Sequence, residues 1–176
     1  MDDRDQTIMG RTLPGAGFAD DEGAADPDLA RALRQYADDG RRAPVLVALS
    51  RSRLLVPVVA VLAEAERGED GLVRDKSADI AAVLLQGQDG RRALLAFSGL
   101  ASLQAWSPDG RPVPVTVMDA ARSAVQEGAS ALLVDVAGPP AYVVETAELA
   151  ELARGHVLAT TPDGHAWLAT HRADDS

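Results

Sequence analysis

The chain contains no cysteine, a single lysine and six aromatic residues among 176. Without cysteine there can be no disulfide, no thiolate metal ligand and no thiol nucleophile. With aromatics at 3% and 33 alanines within the 47% hydrophobic fraction, the core must be aliphatic and rich in small residues. No apolar run approaches the roughly 18 residues that a membrane span needs. The opening MDDRDQTIMGRTLPGAGFADDEGAAD lacks the basic start and apolar centre of a signal peptide. A cytoplasmic protein with no membrane attachment is the expectation. No G-x-x-x-x-G-K-[ST] and no G-x-S-x-G occurs, and Gly15-Ala16-Gly17 lies in the acidic opening with no strand before it. These absences predict a non-enzymatic chain with no cofactor.

What is present fits one domain of ordinary size. A chain of 18.4 kDa can bury roughly two-thirds of its unfolded surface. Acidic residues number 27 and basic residues 17, a net charge of −10. Arginine supplies 16 of the 17 basic residues, as the codons of a GC-rich genome would.

Residues 1–25 carry net charge −4, four glycines and no periodicity, so the composition predicts a disordered acidic tail. Asp26-Pro27 suits an N-cap followed by proline at the first helical position. Leu29, Ala32, Leu33 and Tyr36 then mark one helical stripe ending before Gly40. APVLVAL (43–49) reads as a buried strand. LLVPVVAVLA (54–63) reads as a second one, at a sheet edge or bulged because Pro57 removes a ladder donor. Glu64–Ser77 is a charged loop. DIAAVLLQG (79–87) and RRALLAF (91–97) flank Gln88-Asp89-Gly90, a strong hairpin signal. Ser98 can cap a short helix with Leu100, Leu103 and Trp106 inward. RPVPVTV (111–117) is extended, 119–127 a small helix, and ALLVDVAG and AYVVET two strands. A helix capped by Thr146 runs to Ala153. HVLATT and HAWLAT, joined by Pro162-Asp163-Gly164, close the chain as a hairpin, and 172–176 form a disordered end. Hairpins mixed with short helices predict an α+β domain over 26–171, with a mixed, largely antiparallel sheet.

Few residues point to chemistry. Ser98-Gly99 stands at a strand-to-helix junction, but all three histidines fall in the last 21 residues, so its plain role is a helix cap. A turn on Asp163-Gly164 sets His156 opposite His171, which could begin a zinc site with Glu151 or Asp174, or leave two solvated imidazoles at a hairpin end. Six arginines between Arg31 and Arg53 face only Asp38 and Asp39 locally. With the chain at −10 and no interleaved aromatics, this cluster predicts a solvated face or a protein contact, with the acidic tail in reach, rather than nucleic-acid binding. Trp106 and Trp167 fill volume. Lys76, the one lysine, stands with Ser77 and Asp79 at the mouth of the first hairpin. These three form the candidate interaction surface, and the edge containing Pro57 is the alternative docking site.

The run DKSADIAAVLLQGQDGRRALLAFSGLASLQAWSPDGRPVPV (75–115), with LLVPVVA before it and ALLVDVAGPP after it, resembles the SseB family. It is similar to the N-terminal SseB domain as carried by short actinobacterial proteins, over about residues 28–145. The resemblance implies a cytoplasmic α+β protein and transfers no catalytic residue. Longer members add a C-terminal SseB domain, for which residues 146–176 are too few. The name is also attached to rhodanese-like thiosulfate sulfurtransferases; those carry a persulfide on cysteine, so that activity is excluded here. The leading expectation is a protein-binding or regulatory module, able to self-associate through an edge strand. The alternative is a small-molecule domain sensing amino acids, suggested by the serine-sensitivity phenotype behind the family name.

Overall fold

A computed structural model describes residues 6–10, 18, 20–61, 79–138 and 140–170. In chain order they form β1 (Gln6–Gly10), α1 (Pro27–Asp39), α2 (Arg42–Leu49), β2 (Arg53–Val61), β3 (Asp79–Gln86), β4 (Arg92–Ala96) and α3 (Leu100–Trp106). There follow β5 (Arg111–Thr116), α4 (Val117–Gln126), β6 (Ala131–Val134), β7 (Tyr142–Val144), α5 (Thr146–Ala153), β8 (His156–Thr161) and β9 (Gly164–Ala169). The class is α+β: a seven-stranded sheet with β4–β6 as its parallel pair, and a separate β8–β9 hairpin.

Strand β3 organises the sheet. Ala81 and Ala82 pair with both β1 and β2, while Leu84 and Leu85 pair with both β1 and β4. A strand has two edges, so β2 and β4 share one edge of β3 and β1 takes the other. Beyond the fork, β2 and β4 are stitched by Leu55 and Phe97, which exchange backbone hydrogen bonds of 2.8 Å in both directions. β5 then extends the sheet beyond β2, and β6 and β7 extend it beyond β4.

Two apolar layers result. Leu54, Val56, Leu84, Leu94, Leu132 and Val144 face a core shared with α1, α2, α4 and α5. Leu55, Val83, Leu95 and Phe97 face the opposite way and meet Leu103 of α3. The alternation is the period-two signature of strands buried on both faces. Asp26 caps α1 as expected, its carboxylate accepting from Asp28 N at 3.0 Å and Leu29 N at 2.9 Å. Trp106 stacks on Phe97 with ring centroids 5.5 Å apart, and Trp167 packs against the larger core.

Several expectations are corrected. Residues 43–49 belong to helix α2, not to a strand. A continuous apolar run suits either, and here Val45, Leu46 and Leu49 turn inward together. Pro44 fits because first-turn N–H groups have no intrahelical acceptor. β2 is interior, flanked by β3 and β5, rather than an edge. Pro57 sits opposite Pro112 at a non-hydrogen-bonded site, so β5 needs no donor from it, and the β3 ladder on its other side begins only at Val58. The cap of α3 is Gly99 rather than Ser98, and that of α5 is Glu145 rather than Thr146. The last hairpin turns on Pro162-Asp163, with Thr161 opposite Gly164, because proline's fixed φ suits the first loop position.

The acidic opening is not uniformly detached from the domain. β1 pairs with β3, and Asp21 forms an ion pair with Arg53 that leaves each side chain 13% exposed. Leu100 N donates to Gly23 O at 2.7 Å, tying the start of α3 to the same stretch. The attraction expected between the tail and the arginine cluster is thus a specific bidentate contact. The expected disordered end at 172–176 lies outside the described residues.

The Arg53 hydrogen bond holds the Asp21 carboxyl below the ordinary aspartate range, against desolvation, with the Gly23 N–H assisting. A carboxyl depressed on folding stabilises above its unfolded pKa, about 3.9, and that contribution drains away as pH falls through the folded value. Asp21→Asn is therefore expected to flatten the stability profile below about pH 4 while changing little in its slope near neutrality. Chemical denaturation of both proteins from neutral to acid pH measures this; parallel profiles throughout would refute it.

Candidate functional site: an apolar groove on the half-covered sheet face

Helix α3 covers only part of the second sheet face. Beyond it, Leu85, Ala93, Leu133, Val136 and Val143 are half-buried, and no described helix lies over them. They line a hollow of about 310 Å3. The hollow follows from register: Ala93 of β4 pairs with Ala131 of β6, so two small side chains lie side by side where the neighbouring pair is Leu95 with Leu133. Leu85, opposite Ala93 on β3, forms one wall, and Val143, opposite Leu133 on β7, forms the other.

The mouth of the groove is polar. The β3–β4 turn places Asp89 and Arg91 there, beside Ser130, which precedes β6. Asp89 is used by the turn, accepting from Arg91 N at 3.0 Å. Arg91 reaches Glu145 at 2.9 Å. Arg92, with the parity of Leu94, turns to the helix-covered face instead and donates to Gly128 O at 3.4 Å.

Of the sheet's three outer strands, β1, β5 and β7, the last two resist an added strand. Since Pro112 and Pro114 oppose Pro57 and Leu55 at non-hydrogen-bonded sites, their backbones point outward and supply no N–H. On β7, the outward carbonyl of Val143 accepts from Arg42 Nη2 at 2.8 Å, and the same guanidinium contacts Glu148 at 2.7 Å. It also lies 4.8 Å over the ring of Tyr142, whose phenol is pushed up in pKa by burial.

A buried polar pair occupies the opposite end of β4 and β6. Asp135, 6% exposed and at φ 55, accepts from Ser98 N at 2.8 Å and Ser98 Oγ at 2.6 Å. Arg53 Nη1 donates to Ser98 O at 2.8 Å. This is a clamp between strand ends: the serine hydroxyl is already bonded to a carboxylate, and no imidazole among the described residues joins them.

Of the residues singled out from sequence, Lys76 and Ser77 lie outside the described residues. Asp79 begins β3 and pairs in register with Val61. His156 lies opposite Ala169, not His171, because the turn is displaced; His171 is outside the described residues. His156 Nδ1 instead meets Glu151 Oε2 at 2.6 Å. Among the described residues no three His, Asp or Glu side chains are placed to hold a metal. Five of the six clustered arginines have intramolecular partners, Arg31 with Asp28, Arg41 with Asp39, Arg42 with Glu148, Arg53 with Asp21, and Arg51 with the carbonyls of Val47 and Leu158. The groove itself escaped sequence reasoning, because an alanine in an alanine-rich chain carries no signal until its cross-strand neighbour is known. No described helix is long and apolar enough to cross a membrane.

Comparison with known proteins adds the family. The model of the SseB protein N-terminal domain matches residues 29–151. No curated protein and no solved structure matches the chain. The chain belongs to the SseB family.

Proposed function

We propose that this SseB-family chain is a non-enzymatic protein-binding or regulatory module of the cytoplasm, and that its partner docks in the groove over Ala93 and Ala131. The observation carrying this is an apolar hollow that the described residues leave open on an otherwise buried sheet face, with polar groups confined to its mouth. Concave apolar sites with a few placed polar groups are the usual form of a recognition site. The closed β5 and β7 edges favour docking on the face rather than strand addition. The Lys76, Ser77 and Asp79 surface stands as a second contact within the same proposal.

Ala93→Phe tests it by filling the hollow from its floor. The new ring projects into open space, so stability should stay within about 0.5 kcal/mol. Affinity purification from the native host, comparing wild type with this variant, should show a stoichiometric protein lost from the variant alone. An unchanged set of partners with a folded variant would remove the groove from the reading.

A further inference from the structure

We infer a second site on the other side of the sheet from the groove: a cleft between α1, α2 and the β8–β9 hairpin that takes a small aliphatic monocarboxylate, with its carboxylate on Arg51 and its alkyl body on Ala32, Val47 and Ala48. Three elements converge there by their own periods. Pro44, Val47 and Ala48 share one face of α2, and Arg51 continues that spacing one turn further on. On the hairpin, the face that buries Leu158 and packs Trp167 on the core continues outward as the register pair Thr160 and His165. With α1 as the third wall they enclose about 340 Å3, the small end of ligand pockets.

The anion is assigned from Arg51. Its Nη1 donates to Val47 O at 2.9 Å and Leu158 O at 2.8 Å, which pins the guanidinium between α2 and β8. Both acceptors are neutral. Its charge therefore meets no carboxylate among the described residues, and its Nε and Nη2 have no partner among them. Those two donors form the edge of the fork that takes a carboxylate in bidentate fashion. The acids on the rim are already used: Asp26 caps α1, and Asp28 pairs with Arg31 at 2.6 Å.

Backbone adds one donor. Leu158 turns its N–H to Ser50 Oγ at 3.2 Å and its C=O to Arg51, away from β9, so it occupies a non-hydrogen-bonded site of the hairpin. By the period of two Thr160 occupies the next one. Its N–H leaves the same edge of β8 that Arg51 holds, without a partner among the described residues.

One negative charge matches this cleft better than two. A dianion such as phosphate would face Asp26 and Asp28 across the same space, with a single uncompensated guanidinium to hold it. The floor selects the rest of the ligand, since the side chains of Ala32, Val47 and Ala48 offer neither donor nor acceptor and reward an alkyl group.

An NMR titration of the full chain with butyrate, acetate, butyramide and inorganic phosphate, at fixed pH and ionic strength, tests the site. Butyrate should shift the amides of Arg51, Ser52 and Thr160 saturably. It should bind about tenfold more tightly than acetate, the scale of two buried methylenes, and about tenfold more tightly than butyramide, the scale of one charge-assisted bond. Arg51→Gln removes the charge and keeps a donor for a carbonyl; it should weaken butyrate by about the same tenfold. Ala48→Leu fills the floor, leaves each of these hydrogen bonds in place and should abolish binding. Melting curves confirm that each variant folds, and if Arg51→Gln does not, Ala48→Leu and the butyrate–butyramide pair decide. No saturable shift, equal affinity for butyramide or phosphate, or binding indifferent to Ala48→Leu or to a folded Arg51→Gln would overturn the site. Tighter binding of acetyl-alanyl-alanine than of butyrate would overturn the small ligand in favour of a peptide terminus.

Discussion

Asp135→Ala is expected to lower the unfolding free energy by about 2–4 kcal/mol, since it orphans two buried donors at once. The carboxylate is 6% exposed and accepts both the N–H and the hydroxyl of Ser98. Alanine can reach neither, and water has little access. A further contribution comes from the backbone: Asp135 sits at φ 55, a region that short polar side chains tolerate better than alanine does, by about 1 kcal/mol. Asp135→Asn keeps an acceptor and should fall between the two proteins. Ser98→Ala removes one bond only and should cost about 1 kcal/mol. Urea denaturation with unchanged slope measures the series. An Asp135→Ala protein as stable as wild type would mean the carboxylate is not a clamp, and would return it to consideration as a functional group.

Phe97→Ala should be more damaging, by about 3–5 kcal/mol. Phe97 is fully buried, is one of six aromatics in the chain, and stacks on Trp106 beneath α3. Its backbone exchanges both hydrogen bonds with Leu55 at the fork where β2 and β4 leave β3. The ring therefore fills the point where the sheet is thinnest in backbone pairing. Apart from Trp106 its neighbours in this layer are aliphatic, among them Leu55, Val83, Leu95 and Leu103, and their short side chains cannot refill a phenyl-sized cavity, which places the cost toward the upper end. Phe97→Leu retains most of the volume and should cost under about 1.5 kcal/mol. Thermal or urea unfolding distinguishes these; equal losses for Leu and Ala would show that shape at the stack with Trp106, rather than volume, governs the site.

The features legible in the sequence are those decided within a few residues. Asp26-Pro27 starts α1, Gln88-Asp89-Gly90 turns the first hairpin, and Leu149 and Leu152 mark the buried side of α5, because capping, turn geometry and helical period are local properties. Signals one step less local misled in instructive ways. The run 43–49 has no period, so burial on several sides of a short helix looks the same as burial in a strand. Pro57 announced a missing donor correctly, yet what makes it harmless, a non-bonded site opposite Pro112 and a β3 ladder that begins at Val58, is known only once β5 and β3 are placed beside β2. In the last hairpin, proline's preference for the first loop position outweighed the Asp-Gly signal and moved His156 away from His171.

Sequence by itself determined the class, the family resemblance and the absence of thiol chemistry, since composition, motif and short-range period suffice for these. Tertiary structure alone decided the candidate site. Ala93 and Ala131 become a floor only because β4 and β6 run parallel in that register, and a shift of one residue would turn a different set of side chains onto the face. Ser98 and Asp135 become a clamp for the same reason, as ends of the same parallel pair. Each depends on which strands lie side by side, and side-chain period records burial without recording the neighbour that causes it.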